Sequence, residues 1–180
     1  MTTKHGQLTP PVGADDHAQG NSDAPVTLLE YGDYECPYCG QAYPIVKRIQ
    51  ARLGERLRFV FRNFPLAEAH PHATAAAEVA EAAALQGKFW EMHDTLYEHQ
   101  DALQASDLTT YAQRLRLDTD KLQNALETGK AAERVKSDFM HGVRSGVNGT
   151  PTFFINRRRF DGDWTNESAF TASLTEASKS

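Results

Sequence analysis

The stretch Val26-Thr27-Leu28-Leu29-Glu30-Tyr31-Gly32-Asp33-Tyr34-Glu35-Cys36-Pro37-Tyr38-Cys39 decides how this chain is read. Residues 26–31 form a nearly continuous apolar run rich in strand formers, which suits a central strand buried on both faces. Gly32 to Glu35 breaks the run. A helix then begins at Cys36-Pro37, because proline fits a helix's first turn, where its missing N–H is no loss. It is expected to reach about Leu53 and to stop at Gly54. A second strand follows over Leu57–Phe64, with Arg58 and Arg62 expected to face solvent. Strand, helix and strand make a βαβ unit, whose strands should be parallel.

The same stretch holds both cysteines of the chain, Cys36 and Cys39. A disulfide-stapled secreted domain would carry more, and cysteines this close remove little chain entropy when joined. Their position suggests chemistry instead. A cysteine at a helix start faces backbone N–H groups that have no helical partner. Those donors and the helix dipole lower the thiol pKa below its usual ~8.5 and favour a thiolate. Cys39 lies one turn later on the same face, close enough to resolve a mixed disulfide. The expected reaction is thiol–disulfide exchange, with Cys36 as nucleophile and Cys39 as resolving thiol. The competing reading is a zinc or iron half-site. Closed zinc sites need four ligands, there is no second cysteine pair, and His70 and His72 would have to fold back onto the motif.

Beyond the second strand the signature is helical for some 80 residues. Ala73–Gln86 is Ala-rich and has high helix propensity. Phe89, Trp90, His93, Leu96 and Tyr97 recur at helical spacing, as do Leu108, Tyr111, Ala112 and Leu115 behind a possible N-cap at Ser106. Asp118 is placed to cap a short helix, and Val135, Phe139 and Val143 mark one face of another. The aromatic residues could line a groove over Cys36, but that spacing more often belongs to a core. After Gly149-Thr150-Pro151 the pattern returns to strand at Thr152–Ile155. A turn at Asn156–Arg159, expected to be longer than two residues because Asn-Arg is a poorer hairpin turn than Asn-Gly, leads to Phe160-Asp161. A helix from about Thr165 to Ala177 closes the order: βαβ, helical block, ββα. Proline before a strand is compatible with the sheet, and a Thr-Pro bond at such a junction is a candidate for the cis form.

Composition narrows the partners. The 180 residues carry 19 Lys plus Arg against 24 Asp plus Glu, a formal charge of −5. With no long basic run, nucleic-acid binding is not expected. Nine Phe, six Tyr and two Trp are enough for a core and too many for a disordered chain. No apolar stretch approaches the ~18 residues of a membrane span. Residues 1–20 show no basic region followed by an apolar one. The expectation is therefore a cytoplasmic protein, or a periplasmic one whose signal has been removed. Arg157-Arg158-Arg159 reads as a solvated hairpin tip, and the histidines 70, 72 and 93 as capping or hydrogen-bonding groups rather than metal ligands.

The chain resembles the thioredoxin superfamily, specifically its DsbA-like branch. The resemblance is carried by Glu30, six residues before the first cysteine, by Cys36-Pro37-Tyr38-Cys39, by the long helical block, and by Gly149-Thr150-Pro151-Thr152-Phe153-Phe154. His70-Pro71-His72-Ala73, Gly87-Lys88-Phe89-Trp90 and His93-Asp94 resemble a soluble subgroup of that branch. The resemblance implies an α/β protein, a thioredoxin fold with an all-helical domain inserted between the βαβ and ββα halves. The expected boundaries are an extended arm over 1–23, a thioredoxin-like domain over 24–66 and 148–178, and the inserted domain over 67–147. It also implies that Pro151 is a cis-proline beside the cysteines, that Thr150 presents backbone to an extended substrate next to Pro37 and Tyr38, and that Glu30 is a buried carboxylate relaying a proton to Cys39. A carboxylate in an apolar strand would have a raised pKa; the alternative for Glu30 is an edge residue reaching water.

The family's strong oxidants have a histidine between the cysteines, where this chain has Pro37-Tyr38. Asp33 and Glu35 add negative charge nearby. The expected potential is therefore less oxidising than the ~ −120 mV end of the scale. No cofactor or metal is expected. The expected partners are protein substrates with thiols or disulfides, together with glutathione or a thioredoxin-type recycling system, and the protein is expected to be a monomer that binds neither nucleic acid nor membrane. Rival readings are a glutathione-dependent transferase or isomerase of the same fold, and a non-enzymatic metal-binding or redox-sensing module.

Overall fold

The structure, a computed structural model, describes residues 6–180; the first five residues of the expected arm lie outside them. The chain divides into two compact units. Of the described residues, the first comprises 6–32, 41–62 and 141–180, and the second 33–40 and 63–140.

The first unit is built on a five-stranded sheet of order β1-β3-β2-β4-β5. Its centre is β2 (Val26–Gly32), where every residue but Thr27 is buried, as the continuous apolar run requires. Strand β3 (Leu57–Asn63) lies beside it, after helix α1 (Pro37–Leu53) and a 3₁₀ turn at Gly54–Arg56. On the other side β2 pairs antiparallel with β4 (Thr152–Ile155), with Glu30 opposite Phe153 and Leu29 opposite Phe154. Strand β4 turns into β5 (Arg158–Phe160). Alternation gives the sheet two faces. On Glu30's face, Phe153 packs on Phe170 of helix α7 (Glu167–Ala177), the ring centroids 5.0 Å apart. On the other face Tyr31 meets Phe154 edge-on at 5.9 Å.

That second face is covered by the N-terminal arm. The described part of the arm begins beside β5, where Leu8 N donates to Arg157 O at 2.8 Å and Arg159 N donates to Gly6 O at 2.7 Å. It ends on the opposite edge as β1 (His17–Gly20), antiparallel to β3. The sequence HAQG carries no strand signal; its pairing partner makes it a strand. Between the two edges, Leu8, Pro11 and Val12 line a hollow floored by Leu29 and Phe154.

The arm explains a correction. Arg62 was expected in solvent but is 2 % exposed. Its Nε and Nη2 donate to the two carboxylate oxygens of Asp16 at 2.8 and 2.9 Å, and Nη1 donates to Tyr31 Oη and Pro10 O, both at 3.1 Å. Burial alone would lower its pKa; the hydrogen bond to Asp16 and the charges and hydrogen bonds of Tyr31 and Asp16 reverse that, so the guanidinium stays charged. The hairpin turn is also corrected. Ile155 pairs with Arg158, so the turn is the two residues Asn156-Arg157, with φ of +44° and +73°. Side-chain bonds from Asn156 to residues outside the turn hold that strained geometry: its Oδ1 accepts from Thr27 N at 2.9 Å and its Nδ2 donates to Ala177 O at 3.1 Å.

The second unit is helical. Helix α2 (Ala73–Ala84) packs against α3 (Phe89–Glu98), α4 (Ala105–Arg114) and α5 (Thr119–Glu127), its alanines allowing close approach. Asp118 caps α5 as expected, accepting from Asp120 N and Lys121 N. Helix α4 starts before Ser106, and Asp107 rather than Ser106 serves its start by accepting from Gln104 N at 3.0 Å. In α6 (Lys130–Arg144), Phe139 stacks on Phe64 at 4.3 Å, while Val143, expected on that face, is exposed. Among the described residues no helix is long and apolar enough to cross a membrane.

Candidate active site

The two cysteines sit where α1 begins. Cys36 immediately precedes Pro37, the first helical residue, and Gly40 N donates to Cys36 O at 3.0 Å to open the helix. Both cysteines are buried, at 3 and 0 % exposure, whereas Tyr38 between them is 62 % exposed. The turn before them is shaped by Asp33. Its Oδ1 accepts from Glu35 N at 2.8 Å and from Cys36 N at 3.2 Å, the local turn that aspartate favours. Its Oδ2 accepts from Leu66 N at 2.9 Å and from His70 Nδ1 at 2.8 Å. Glu35 is engaged alongside, accepting from His72 N at 2.6 Å and from His72 Nδ1 at 2.8 Å.

This changes the electrostatic expectation at Cys36. The sequence places two carboxylates beside the thiol; the structure pairs each with a histidine from the loop after β3. For His70, burial opposes protonation, but the hydrogen bond and charge of Asp33, with the charges of Cys36 and Glu35, outweigh it and raise its pKa above the usual 6.5. Histidines 70 and 72 thus hold the turn. Among the described residues no three His, Cys, Asp or Glu side chains are grouped so as to hold a metal ion.

Two further contacts fix the turn. Gln100, which no sequence signal singles out, donates through Nε2 to Tyr34 O at 3.0 Å and to Cys36 O at 2.6 Å. Its side-chain amide occupies the space a Cβ on Gly40 would need, so the residue after Cys39 has to be glycine while Gln100 stays in place. Tyr34 is 1 % exposed, and its hydroxyl shares a hydrogen bond of 2.9 Å with His93 Nδ1. Phe89, Trp90 and Tyr97 surround that imidazole with ring centroids 5.0–5.7 Å away. The aromatic spacing therefore builds a core around His93.

The other expected site residues lie in the first unit. Glu30 is 2 % exposed in the middle of β2, so it is not an edge residue reaching water. Thr150 and Pro151 lead into β4, the strand that pairs Phe153 with Glu30, and their peptide bond is cis. Thr152 Oγ1 donates to Gly149 O at 2.7 Å and closes that junction.

Comparison with known proteins agrees with this architecture. A family model described as Thioredoxin matches residues 13–172. A thioredoxin-like oxidoreductase from Silicibacter pomeroyi DSS-3 is similar in structure, with a TM-score of 0.81 and 26 % identity over 93 % of this chain and 95 % of that one. The oxidised form of BdbD from Bacillus subtilis gives a TM-score of 0.82 and 24 % identity, covering 98 % of both chains. In sequence, the chain is 48 % identical over 171 residues to a protein named Na(+)/H(+) antiporter NhaA 1 from Salinispora arenicola (strain CNS-205), a match covering 94 % of this chain and 26 % of that protein. The chain thus spans about a quarter of the length of the curated relatives it matches. With the sheet, the inserted helices and the cysteine pair at the start of α1, the chain belongs to the thioredoxin family, and its fold is the DsbA-like form of it.

Proposed function

We propose that the protein is a thiol–disulfide oxidoreductase working through Cys36 and Cys39. One observation carries this reading: in a thioredoxin-family fold, the chain's two cysteines sit together at the first turn of α1, with Cys36 at the helix start, where the helix dipole favours a thiolate. In the reducing direction, the Cys36 thiolate attacks a substrate disulfide. A Cys36–substrate disulfide forms and one substrate sulfur leaves as a thiolate. Cys39 then gives up its proton and attacks Cys36 Sγ, releasing the second substrate thiolate. The protein has lost two electrons and the substrate has gained them; the reverse sequence oxidises a dithiol.

The roles of the remaining residues belong to the same proposal. Glu30 relays the proton to and from Cys39. Pro37, Tyr38, Thr150 and Pro151 bind the substrate chain, for which the exposure of Tyr38 speaks. The substrates are proteins with thiols or disulfides, recycled by glutathione or a thioredoxin-type system, and the protein acts as a monomer. In the cytoplasm the direction is reduction or isomerisation, since disulfides there are transient; in a periplasm it is oxidation. The name of the Salinispora relative describes that longer protein, whereas this activity rests on residues of this chain.

The test is equilibration with glutathione redox buffers, with the Cys36–Cys39 state read by thiol trapping. A reversible intramolecular disulfide is expected, near ~ −270 mV for a reductase or above ~ −200 mV for an isomerase or oxidant. No disulfide at any poise overturns the proposal. Glutathione conjugation that survives Cys39→Ser would favour the transferase instead.

A further inference from the structure

Exchange chemistry needs a stabilised Cys36 thiolate, yet Pro37-Tyr38 places no cation between the cysteines. An ionisable ring does reach the turn from the loop after β3. His70 Nδ1 lies 2.8 Å from Asp33 Oδ2, and the other oxygen of that carboxylate accepts the backbone N–H of Cys36 at 3.2 Å. One carboxylate, with a wholly buried side chain, thereby ties the ring to the backbone of the nucleophile. We propose that His70, held by Asp33, is a positioning residue whose protonated ring favours the Cys36 thiolate and gives disulfide exchange a pH response. The inference rests on the exchange reading above.

The electrostatics follow from the fixed geometry. Asp33 cannot turn away from Cys36, because its two oxygens are held by Glu35 N, Cys36 N, Leu66 N and His70. With His70 neutral, the Asp33 charge stands against a thiolate at Cys36. With His70 protonated, the pair is neutral overall and that opposition is gone. The groups facing the ring are Asp33, Glu35 and Cys36 from the turn, with His72 on its own loop engaged by Glu35. The His70 side chain is 18 % exposed, enough to exchange its proton with solvent. The charge of Cys36 contributes to the raised pKa of His70. By linkage, the charge of His70 must act on Cys36 to the same extent.

The experiment separates charge from scaffolding. His70→Asn keeps a short donor towards Asp33 and removes the ionisable ring. In reduced Cys39→Ser protein, the alkylation rate of Cys36 below neutral pH is expected to fall about tenfold with His70→Asn. With both cysteines present, the equilibrium with glutathione should move about tenfold towards the disulfide, or ~30 mV more reducing. A measurement on the unsubstituted protein needs no variant: the pKa of His70, followed by NMR, should be higher in the dithiol than in the disulfide form. Unchanged Cys36 reactivity and equilibrium in His70→Asn, or a His70 pKa blind to the redox state, overturns the proposal. If the unsubstituted protein forms no disulfide at all, the exchange reading has failed instead, and alkylation in the Cys39→Ser background still decides the claim about His70.

Discussion

Asp33 and Arg62 show how single side chains organise this molecule, and both are polar groups buried with their partners. Arg62 spans Asp16, Tyr31 and two backbone carbonyls of the arm, those of Pro10 and Pro11. Removing one member of a buried pair strands the other. Arg62→Met should therefore cost about 3–5 kcal/mol in urea unfolding, and Asp16→Asn should cost much less in the Arg62→Met background than alone. Equal costs in the two backgrounds would show that the pair is not coupled. His70 has a pH signature of its own. Its pKa is raised in the folded state, so its pairing with Asp33 stabilises the fold fully below the unfolded value of about 6.5 and loses that contribution as pH rises through the folded value. Urea unfolding of the unsubstituted protein against His70→Asn should show a stability gap that shrinks from pH 6 towards alkaline pH. A gap independent of pH would contradict this. At this scale the sequence was legible where one residue carries its own chemistry, as at Cys36, Pro37 and Cys39. It was not legible at Arg62 or Gln100, because a long polar side chain takes its meaning from partners dozens of residues away.

Elements were most readable where local pattern and burial agree. The apolar run of β2, the proline at the start of α1 and the aspartate before α5 all appear where their chemistry places them. Strand β1 was not readable, since HAQG becomes a strand only through its register with residues 58–61 of β3. The β4–β5 turn was misjudged for a related reason: the Asn156 contacts to Thr27 and Ala177 sustain a two-residue turn that the local sequence disfavours. Arg157 carries that strain at φ +73°, where a side chain costs about 1–2 kcal/mol. Arg157→Gly should raise stability by roughly 0.5–1 kcal/mol with the fold unchanged, read as a shift in the urea midpoint at constant slope. A loss of stability would show that the Arg157 side chain contributes more than its backbone costs.

For the molecule as a whole, the family and the order of its elements were visible in the sequence, but the use made of the N-terminal arm was not. Polar and rich in Gly and Pro, it reads as an extended arm with no sign of what it packs on, yet its described residues bind both edges of the sheet and cover the face between them. Leu8 is its anchor, 1 % exposed. Leu8→Ala should cost about 2–4 kcal/mol and should speed hydrogen exchange in residues 6–20 more than in α7. A variant as stable as the unsubstituted protein would show that the arm rests on the sheet without supporting it. The arm also sets a problem of timing during synthesis. Residues 6–8 leave the ribosome before their partners, residues 157–159, have been translated. At ~5–20 residues per second the interval is on the order of ten to thirty seconds. Until then Leu8 has no strand to join, and the face it will cover is open to chaperones and to neighbouring nascent chains. The arm, made before the strands it joins, is thus among the last of the described segments to find its place.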